Sequence, residues 1–138
     1  MRNVLWDAAM FSVGFVVYPV IELLYRGTTH GSMALAGGLS MLLLGRVCAL
    51  RMPAILRATL SCAGITFIEW AFGVVVNLYL QLGVWDYSAL PYQFMGQVCL
   101  RYALVWFGLS LPMTVLLRAV KRRVFAPKRD EKAVNLRT

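Results

Sequence analysis

Four long apolar stretches occupy most of this 138-residue chain, at residues 8–25, 32–50, 56–82 and 96–117. A helix needs about 17–25 mostly apolar residues to cross a hydrocarbon core about 30 Å thick, and each stretch is long enough. The chain is 60% hydrophobic and 14% charged, far from the balance of a soluble domain. The sequence therefore predicts an all-α integral membrane bundle of four transmembrane helices.

The predicted organisation is one membrane domain followed by a short tail. We assign residues 1–118 to the four-helix domain and residues 119–138 to a basic cytoplasmic tail. The tail mixes both charge signs and lacks apolar periodicity, so we expect its end to be disordered. The first apolar stretch is too long for a signal peptide and is not followed by an A-x-A cleavage pattern, which assigns it to the first helix.

The basic residues predict the orientation in the membrane. The net charge is +8, with Arg46, Arg51 and Arg57 around the second connection and a further basic cluster after the fourth stretch. Short loops rich in Lys and Arg stay in the cytoplasm, so we expect both termini and the second connection to lie there. The expected location is the bacterial inner membrane, with the lipid bilayer as the main partner. We expect no nucleic-acid binding, because the charge pattern is an orientation signal.

Polar side chains interrupt the apolar stretches mainly on their predicted outer halves. Glu69 lies roughly 20 Å along the third stretch, near or just beyond the bilayer centre. Such ionisable groups mark solute pathways and ligand sites, so these residues are candidates for binding a solute. The candidates are Glu22, Arg26, His30, Glu69, Asn77, Asp86, Gln97 and Arg101.

Two interpretations of these residues remain open. A charge at the bilayer centre costs about 2.5–3.5 kcal/mol, so buried charges normally face the bundle interior and find partners. We expect Glu69 and Arg101 to approach each other, with Glu22 and Arg26 nearer the rim. Such pairs either fix which helices associate, helped by small residues, or line a functional pocket open to the outside. The small residues considered are Ala34, Gly37, Gly38, Gly45 and Gly73.

Neither a cofactor nor a metal ion is expected. The three cysteines, Cys48, Cys62 and Cys99, are widely spaced in apolar segments, without a C-x-x-C or Cys/His pattern. We interpret them as packed thiols. His30 is the only histidine, which makes a zinc site improbable. Its position in a short connection favours a capping or interfacial role, with a role as proton carrier or ligand as the alternative.

Three ordered motifs carry a resemblance to a known family. They read "IELLYRGTTHGSMALAGG", "FIEWAFGVVVN" and "VWDYSALPYQFMGQVCLRYALVWFGLS", and the match extends over residues 14–110. The chain resembles the family labelled "putative ABC-transporter type IV permease". The resemblance implies a small four-helix membrane protein, and it singles out residues within the motifs. These are Glu22, Arg26, Gly27, His30, Ser32, Met33, Gly37, Gly38, Glu69, Trp70, Trp85, Asp86, Tyr87, Ser88, Pro91, Gly96, Gln97 and Cys99.

Three functions are compatible with this sequence. The favoured one is a transport component with an outward-facing polar pocket for a small polar or charged solute. The second is an assembly or regulatory membrane subunit. The third is a membrane-embedded enzyme acting on a lipid headgroup, with Glu69 or Glu22 as general base and Arg26 and Arg101 holding an anionic group. The sequence has no G-x-x-x-x-G-K-[ST] phosphate loop, so nothing in it indicates ATP hydrolysis. Four helices of one copy enclose little room for a solute path, so a permease function calls for a homo-oligomer or a membrane partner subunit.

Overall fold

The computed structural model describes residues 2–125. It confirms the predicted four-helix membrane bundle, and 75% of this part of the chain is helical. The predicted disordered end of the tail lies outside the described residues.

The four helices are α1 (Arg2–Arg26), α2 (Gly31–Val47), α3 (Ala54–Gly73) and α4 (Leu100–Val124). After Gly73, α3 continues as a π-helical segment, Val74–Tyr79. By length and composition, three helical segments of the described chain can cross a membrane: Asn3–Arg26, Ala54–Tyr79 and Leu100–Val124. The apolar helix α2 is shorter than predicted, and its 17 residues rise only about 25 Å.

The bundle has two chemically different ends. The loop end carries the α1–α2 turn at residues 27–30 and the long α3–α4 connection at residues 80–99. The basic end carries the α2–α3 connection at residues 48–53, the start of α1 and the end of α4. At the basic end, Arg46 forms an ion pair of 2.7 Å with Asp7, and Arg118 donates a hydrogen bond to the Leu50 carbonyl. The start of α1 and the end of α4 therefore lie at the same end of the bundle.

The apolar core lies towards the basic end, where all four helices contribute to it. Trp6 is 5% exposed, and its indole N–H donates a 2.9 Å hydrogen bond to the Gly45 carbonyl. The Trp6 ring also meets Phe125 edge to face and lies 5.3 Å below the Lys121 ammonium. The buried members of this core are Trp6, Met10, Leu44, Cys48, Ile65 and Leu117. Contacts around Trp6 thus join the first helix to the last.

Helices α1 and α2 pack closely because glycines face each other across the interface. A Cβ atom on Gly37 would overlap the Tyr18 side chain and the Gly14 carbonyl oxygen. Added carbons on Gly38, Gly45 and Gly73 would likewise meet neighbouring side chains. The prediction of close helix approach is confirmed for Gly37, Gly38 and Gly45, which contact α1, whereas Gly73 meets Gln97 in the α3–α4 connection.

A small β-hairpin, absent from the sequence prediction, precedes α4. Strand β1 (Gln93–Phe94) pairs antiparallel with β2 (Val98–Cys99). Met95 and Gly96 in its turn have positive φ angles of 54° and 69°, as residues in tight hairpin turns often do. The hairpin delays the start of α4 from the predicted residue 96 to Leu100.

Candidate functional site

Glu69 lies at the centre of a buried group of side chains near the loop end. It is 7% exposed, and its Oε1 accepts a 3.1 Å hydrogen bond from the Tyr18 hydroxyl of α1. The Trp106 side chain of α4 also lies close to Glu69. The Tyr18 and Trp106 rings stack with their centroids 5.8 Å apart. Three helices therefore meet at this carboxylate.

Glu22, one turn beyond Tyr18 on α1, has charged and polar partners. Its Oε1 lies 2.9 Å from Arg26 Nη2, and its Oε2 accepts a 2.6 Å hydrogen bond from the Thr29 hydroxyl. Arg26 also donates to the Val84 carbonyl of the α3–α4 connection. We call Tyr18, Glu22, Arg26 and Glu69 the carboxylate cluster. The expected pairing of Glu22 with Arg26 at the rim is confirmed.

The expected approach of Glu69 to Arg101 is wrong. Neither ion pair found among residues 2–125 involves Glu69, and Arg101 is exposed. The α4 residue that meets Glu69 is Trp106, five positions after Arg101. At about 100° per residue, the two side chains leave α4 about 140° apart. Arg101 therefore cannot share the Trp106 face.

A second group, the amide cluster, is formed by Asn77 and Gln97 with their neighbours. Asn77 Nδ2 donates a 2.8 Å hydrogen bond to Gln97 Oε1, and Asn77 Oδ1 accepts one from the Val84 amide. The buried Trp85 indole donates to the Gln97 carbonyl at 2.9 Å. Gly73 lies directly against the Gln97 side chain, where a Cβ atom would not fit. Both amide side chains thus hold the α3–α4 connection onto the end of α3.

The π-helical segment sets the position of Asn77. The Leu80 amide bonds the Val75 carbonyl, five residues earlier, so the helix is wider here than an α-helix. Hydropathy does not encode this change of winding, so the π-helical segment could not be predicted from the apolar pattern. Segments of this kind are frequent at functional sites.

An open cleft of about 430 Å³ lies beside the amide cluster. Asp86 accepts two 2.8 Å hydrogen bonds, from the Ser88 amide and the Ser88 hydroxyl. These bonds lower the pKa of Asp86 below its ordinary value, so the carboxylate is ionised at neutral pH. The lining residues are Asn77, Leu78, Gly83, Trp85, Asp86, Ser88, Gln93, Met95, Gly96 and Gln97.

Tyr87 lies close to both the cleft and the carboxylate cluster. Its ring stacks on Tyr102 with centroids 4.8 Å apart. Burial, followed by the nearby Glu69 carboxylate, raises the pKa of the Tyr87 hydroxyl, which is therefore protonated at neutral pH. Tyr87 follows the cleft residue Asp86 directly in the chain, and its hydroxyl lies near enough to Glu69 to be influenced by that carboxylate.

His30 caps the N-terminus of α2. Its Nδ1 accepts a 3.2 Å hydrogen bond from the Ser32 amide and lies 2.8 Å from the Ser32 hydroxyl. The capping role favoured by the sequence is thus present. His30 and Ser32 are both exposed, and the contacts between them cap the N-terminus of α2.

Replacing His30 with alanine should remove this cap and lower the free energy of unfolding by about 1 kcal/mol. Asparagine is a good N-cap residue, so His30→Asn should retain most of the stability. Thermal unfolding of the two variants in the same detergent would measure the difference. Equal loss in both variants would show that the histidine ring contributes something other than the cap.

The predicted site residues form separate groups at the loop end. Asn77, Asp86 and Gln97 line the cleft, whereas Glu22, Arg26 and Glu69 belong to the carboxylate cluster. His30 caps α2 and Arg101 lies exposed on α4, apart from both groups. Within residues 2–125, no three His, Cys, Asp or Glu side chains are placed to hold a metal ion.

Tyr18, Tyr87 and Trp106 were not among the predicted site residues, although the family resemblance singles out Tyr87. Tyr18 had a usable signal, because it lies four residues before Glu22 and shares its helix face. No comparable signal marks Trp106, whose role depends on how α4 is rotated against α3.

The fold and its buried ionisable groups define a small helical integral membrane protein with a polar loop end. The chain belongs to the family described as "Putative ABC-transporter type IV", whose family model matches residues 12–135. Comparison with curated proteins and with solved structures finds no match.

Proposed function

We propose that this protein is a transport component whose loop end receives a small polar or charged solute. The family to which the chain belongs supports a transport role. Within the bundle, the observation that carries the proposal is Glu69, which is 7% exposed and hydrogen-bonded to Tyr18 but not ion-paired with any described residue. Burying an ionisable side chain inside a membrane protein costs free energy, and such side chains commonly mark solute pathways or ligand sites.

The cleft supplies the proposed entrance. Asp86 presents an ionised carboxylate there, while Ser88 and Gln93 add polar groups to the wall. A volume of about 430 Å³ falls within the usual range of about 300–1,000 Å³ for small-ligand pockets. We propose that a solute first meets Asp86 and then the carboxylate cluster behind Tyr87.

The proposed location is the bacterial inner membrane, with the basic end in the cytoplasm and the loop end outside. This orientation follows from the tendency of Lys/Arg-rich connections to stay in the cytoplasm. Because the sequence has no phosphate loop, coupling to nucleotide hydrolysis would require a separate protein. We propose that the chain works as a homo-oligomer or with a membrane partner subunit, because four helices of one copy enclose little room for a solute path.

The test is thermal unfolding of the protein in lipid nanodiscs, screened against ions, small metabolites and headgroup analogues. A solute at 100 times its Kd should stabilise the wild type by about 2.7 kcal/mol. This stabilisation should disappear in Glu69→Gln. It should persist in Asp7→Asn, a matched control that removes a carboxylate from the basic end. A solute that stabilises Glu69→Gln as strongly as the wild type would place the site elsewhere.

The second candidate is an assembly or regulatory subunit. The observation that favours it is the use of Asn77, Gln97 and Arg26 in hydrogen bonds within the chain, where they join the α3–α4 connection to the helices. If no solute stabilises the wild type and Glu69→Gln fails to assemble, this candidate is preferred. The geometry does not favour a lipid-headgroup enzyme, because Arg26 is bound to Glu22 and Arg101 lies apart from both glutamates.

A further inference from the structure

Two arginines from different helices bind the α2–α3 connection at the basic end. Arg57, near the start of α3, donates a 2.6 Å hydrogen bond through Nη1 to the Met52 carbonyl. Arg118 of α4 donates one of 3.0 Å to the Leu50 carbonyl, two residues earlier. Cα atoms two residues apart are separated by at most about 7 Å, so both guanidinium groups lie beside the same short piece of backbone.

A third cation, Lys121, lies close to the two arginines. Burial raises the pKa of the Cys48 thiol, at the start of the same connection. Three positive charges lie near enough to oppose that effect, those of Lys121, Arg57 and Arg118. We call these three side chains the cation group.

No carboxylate of residues 2–125 neutralises the cation group. The two ion pairs found in this part of the chain involve other residues. Among its carboxylates, Glu22, Glu69 and Asp86 lie at the loop end, and Asp7 is paired with Arg46. The hydrogen bonds that Arg57 and Arg118 make are with neutral carbonyl groups, so the positive charges remain uncompensated.

Arg57 makes this lack of negative charge costly. It is 5% exposed, and its Nε is buried without a hydrogen-bond partner in the described chain. Taking a guanidinium out of water costs much free energy unless an opposite charge lies beside it. A water molecule can bond the Nε but leaves the charge in place. The site therefore requires an anion.

The start of α3 adds positive charge of its own at the same place. The backbone amides at a helix N-terminus carry about half a unit of positive charge. The N-cap residue here is Pro53, no side chain caps the amides, and the first turn contains no acidic residue. The Arg57 guanidinium nevertheless turns back to the Met52 carbonyl, immediately before the cap. A cation in that position is favourable only with an anion beside it.

We infer that the cation group and the start of α3 bind the phosphate group of an anionic phospholipid. Guanidinium groups match phosphate oxygens in geometry and charge, and the amides of a helix start add further donors. The spanning segment Ala54–Tyr79 begins at the first residue of α3, so the site lies where the hydrocarbon core ends and the headgroups begin. Phospholipid phosphates lie at that level. The inference does not depend on the solute proposed for the loop end.

The test is thermal unfolding of the full chain in an uncharged detergent, titrated with phosphatidylglycerol. The wild type should melt at a higher temperature with this lipid than with phosphatidylcholine, whose choline group is repelled by the cation group. In Arg57→Gln the affinity for phosphatidylglycerol should fall about tenfold or more, because charge-assisted hydrogen bonds are lost. Without lipid, Arg57→Gln should be at least as stable as the wild type, because it removes an uncompensated buried charge.

Arg51→Gln is the matched control, because it removes the same charge from the same connection at an exposed position. Its affinity for phosphatidylglycerol should change by less than about threefold, as expected for an exposed charge. Equal losses in the two variants would show a response to net charge alone and would overturn the inference, as would unchanged affinity in Arg57→Gln. Should Arg57→Gln fail to fold, Arg118→Gln replaces it, with the same expected loss and the same overturning result.

Two further titrations identify the source of the negative charge. Inorganic phosphate at matched ionic strength should stabilise the wild type much less than phosphatidylglycerol does. Equal stabilisation would assign the site to free phosphate and overturn the lipid as its ligand. Asp130→Asn combined with Glu131→Gln removes the carboxylates that lie beyond the described residues, and this variant should bind the lipid as the wild type does. Much tighter binding would make the tail the occupant of the site and overturn the inference.

Discussion

Gly37→Ala is expected to lower the free energy of unfolding by about 1–3 kcal/mol. The added methyl group would overlap the Tyr18 side chain and the Gly14 carbonyl oxygen, both on α1. One of these contacts is with backbone, so relief requires the two helices to move apart. That movement would also displace Tyr18 from Glu69, because the hydrogen bond between them is already 3.1 Å long. Unfolding in detergent, followed by circular dichroism, would measure the loss.

Gly108→Ala is the matched control. Gly108 lies within α4, as Gly37 lies within α2, but apart from its own helix backbone no atom of the described chain lies within 4 Å of the position that its Cβ would occupy. Alanine is the better helix former by about 1 kcal/mol, so this variant should be neutral or slightly more stable. If both variants behave alike, close packing of α1 on α2 does not limit the stability of the bundle.

Gly73→Ala and Gln97→Gly are expected to be strongly coupled. Gly73→Ala alone should cost about 1–3 kcal/mol, because its Cβ would overlap the Gln97 side chain. Gln97→Gly alone should cost a similar amount, about 1–3 kcal/mol, because it leaves the Asn77 amide without its partner. In the double variant the overlap is gone, so its loss should be smaller than the sum of the two single losses by about 0.5–3 kcal/mol.

Hydrogen exchange of the Val84 amide provides a local readout for the same variants. This amide donates a 2.7 Å hydrogen bond to Asn77, so it reports directly on the attachment of the α3–α4 connection. Exchange should be faster in each single variant than in the wild type. The Ser32 amide, which is bonded to His30 at the α1–α2 turn, serves as the internal reference. Strictly additive losses would show that Gly73 and Gln97 stabilise the loop end independently.

The sequence predicts those features of the fold that depend on local spacing. Four apolar stretches predict four helices, and the spacing of Glu22 and Arg26 predicts their pairing within one helix. The partner of Glu69 could not be predicted in this way, because it depends on the rotation of α4. Gln97 and Arg101 share an i, i+4 spacing, yet Gln97 precedes the helix and anchors the connection. The only residue that points to the hairpin in the sequence is Gly96, because glycine favours the positive φ angle of a tight turn, and a single glycine is weak evidence.

Trp6 also has a consequence for the timing of biosynthesis. Its N–H bonds the Gly45 carbonyl of α2, but its ring packs against Phe125 at the end of α4, which is synthesised much later. The roughly 80 residues between Gly45 and Phe125 take about 4–16 s to translate at 5–20 residues per second. During that interval the nascent α1–α2 pair has an incomplete face beside Trp6. A chain arrested before α4 would keep that face of Trp6 uncovered.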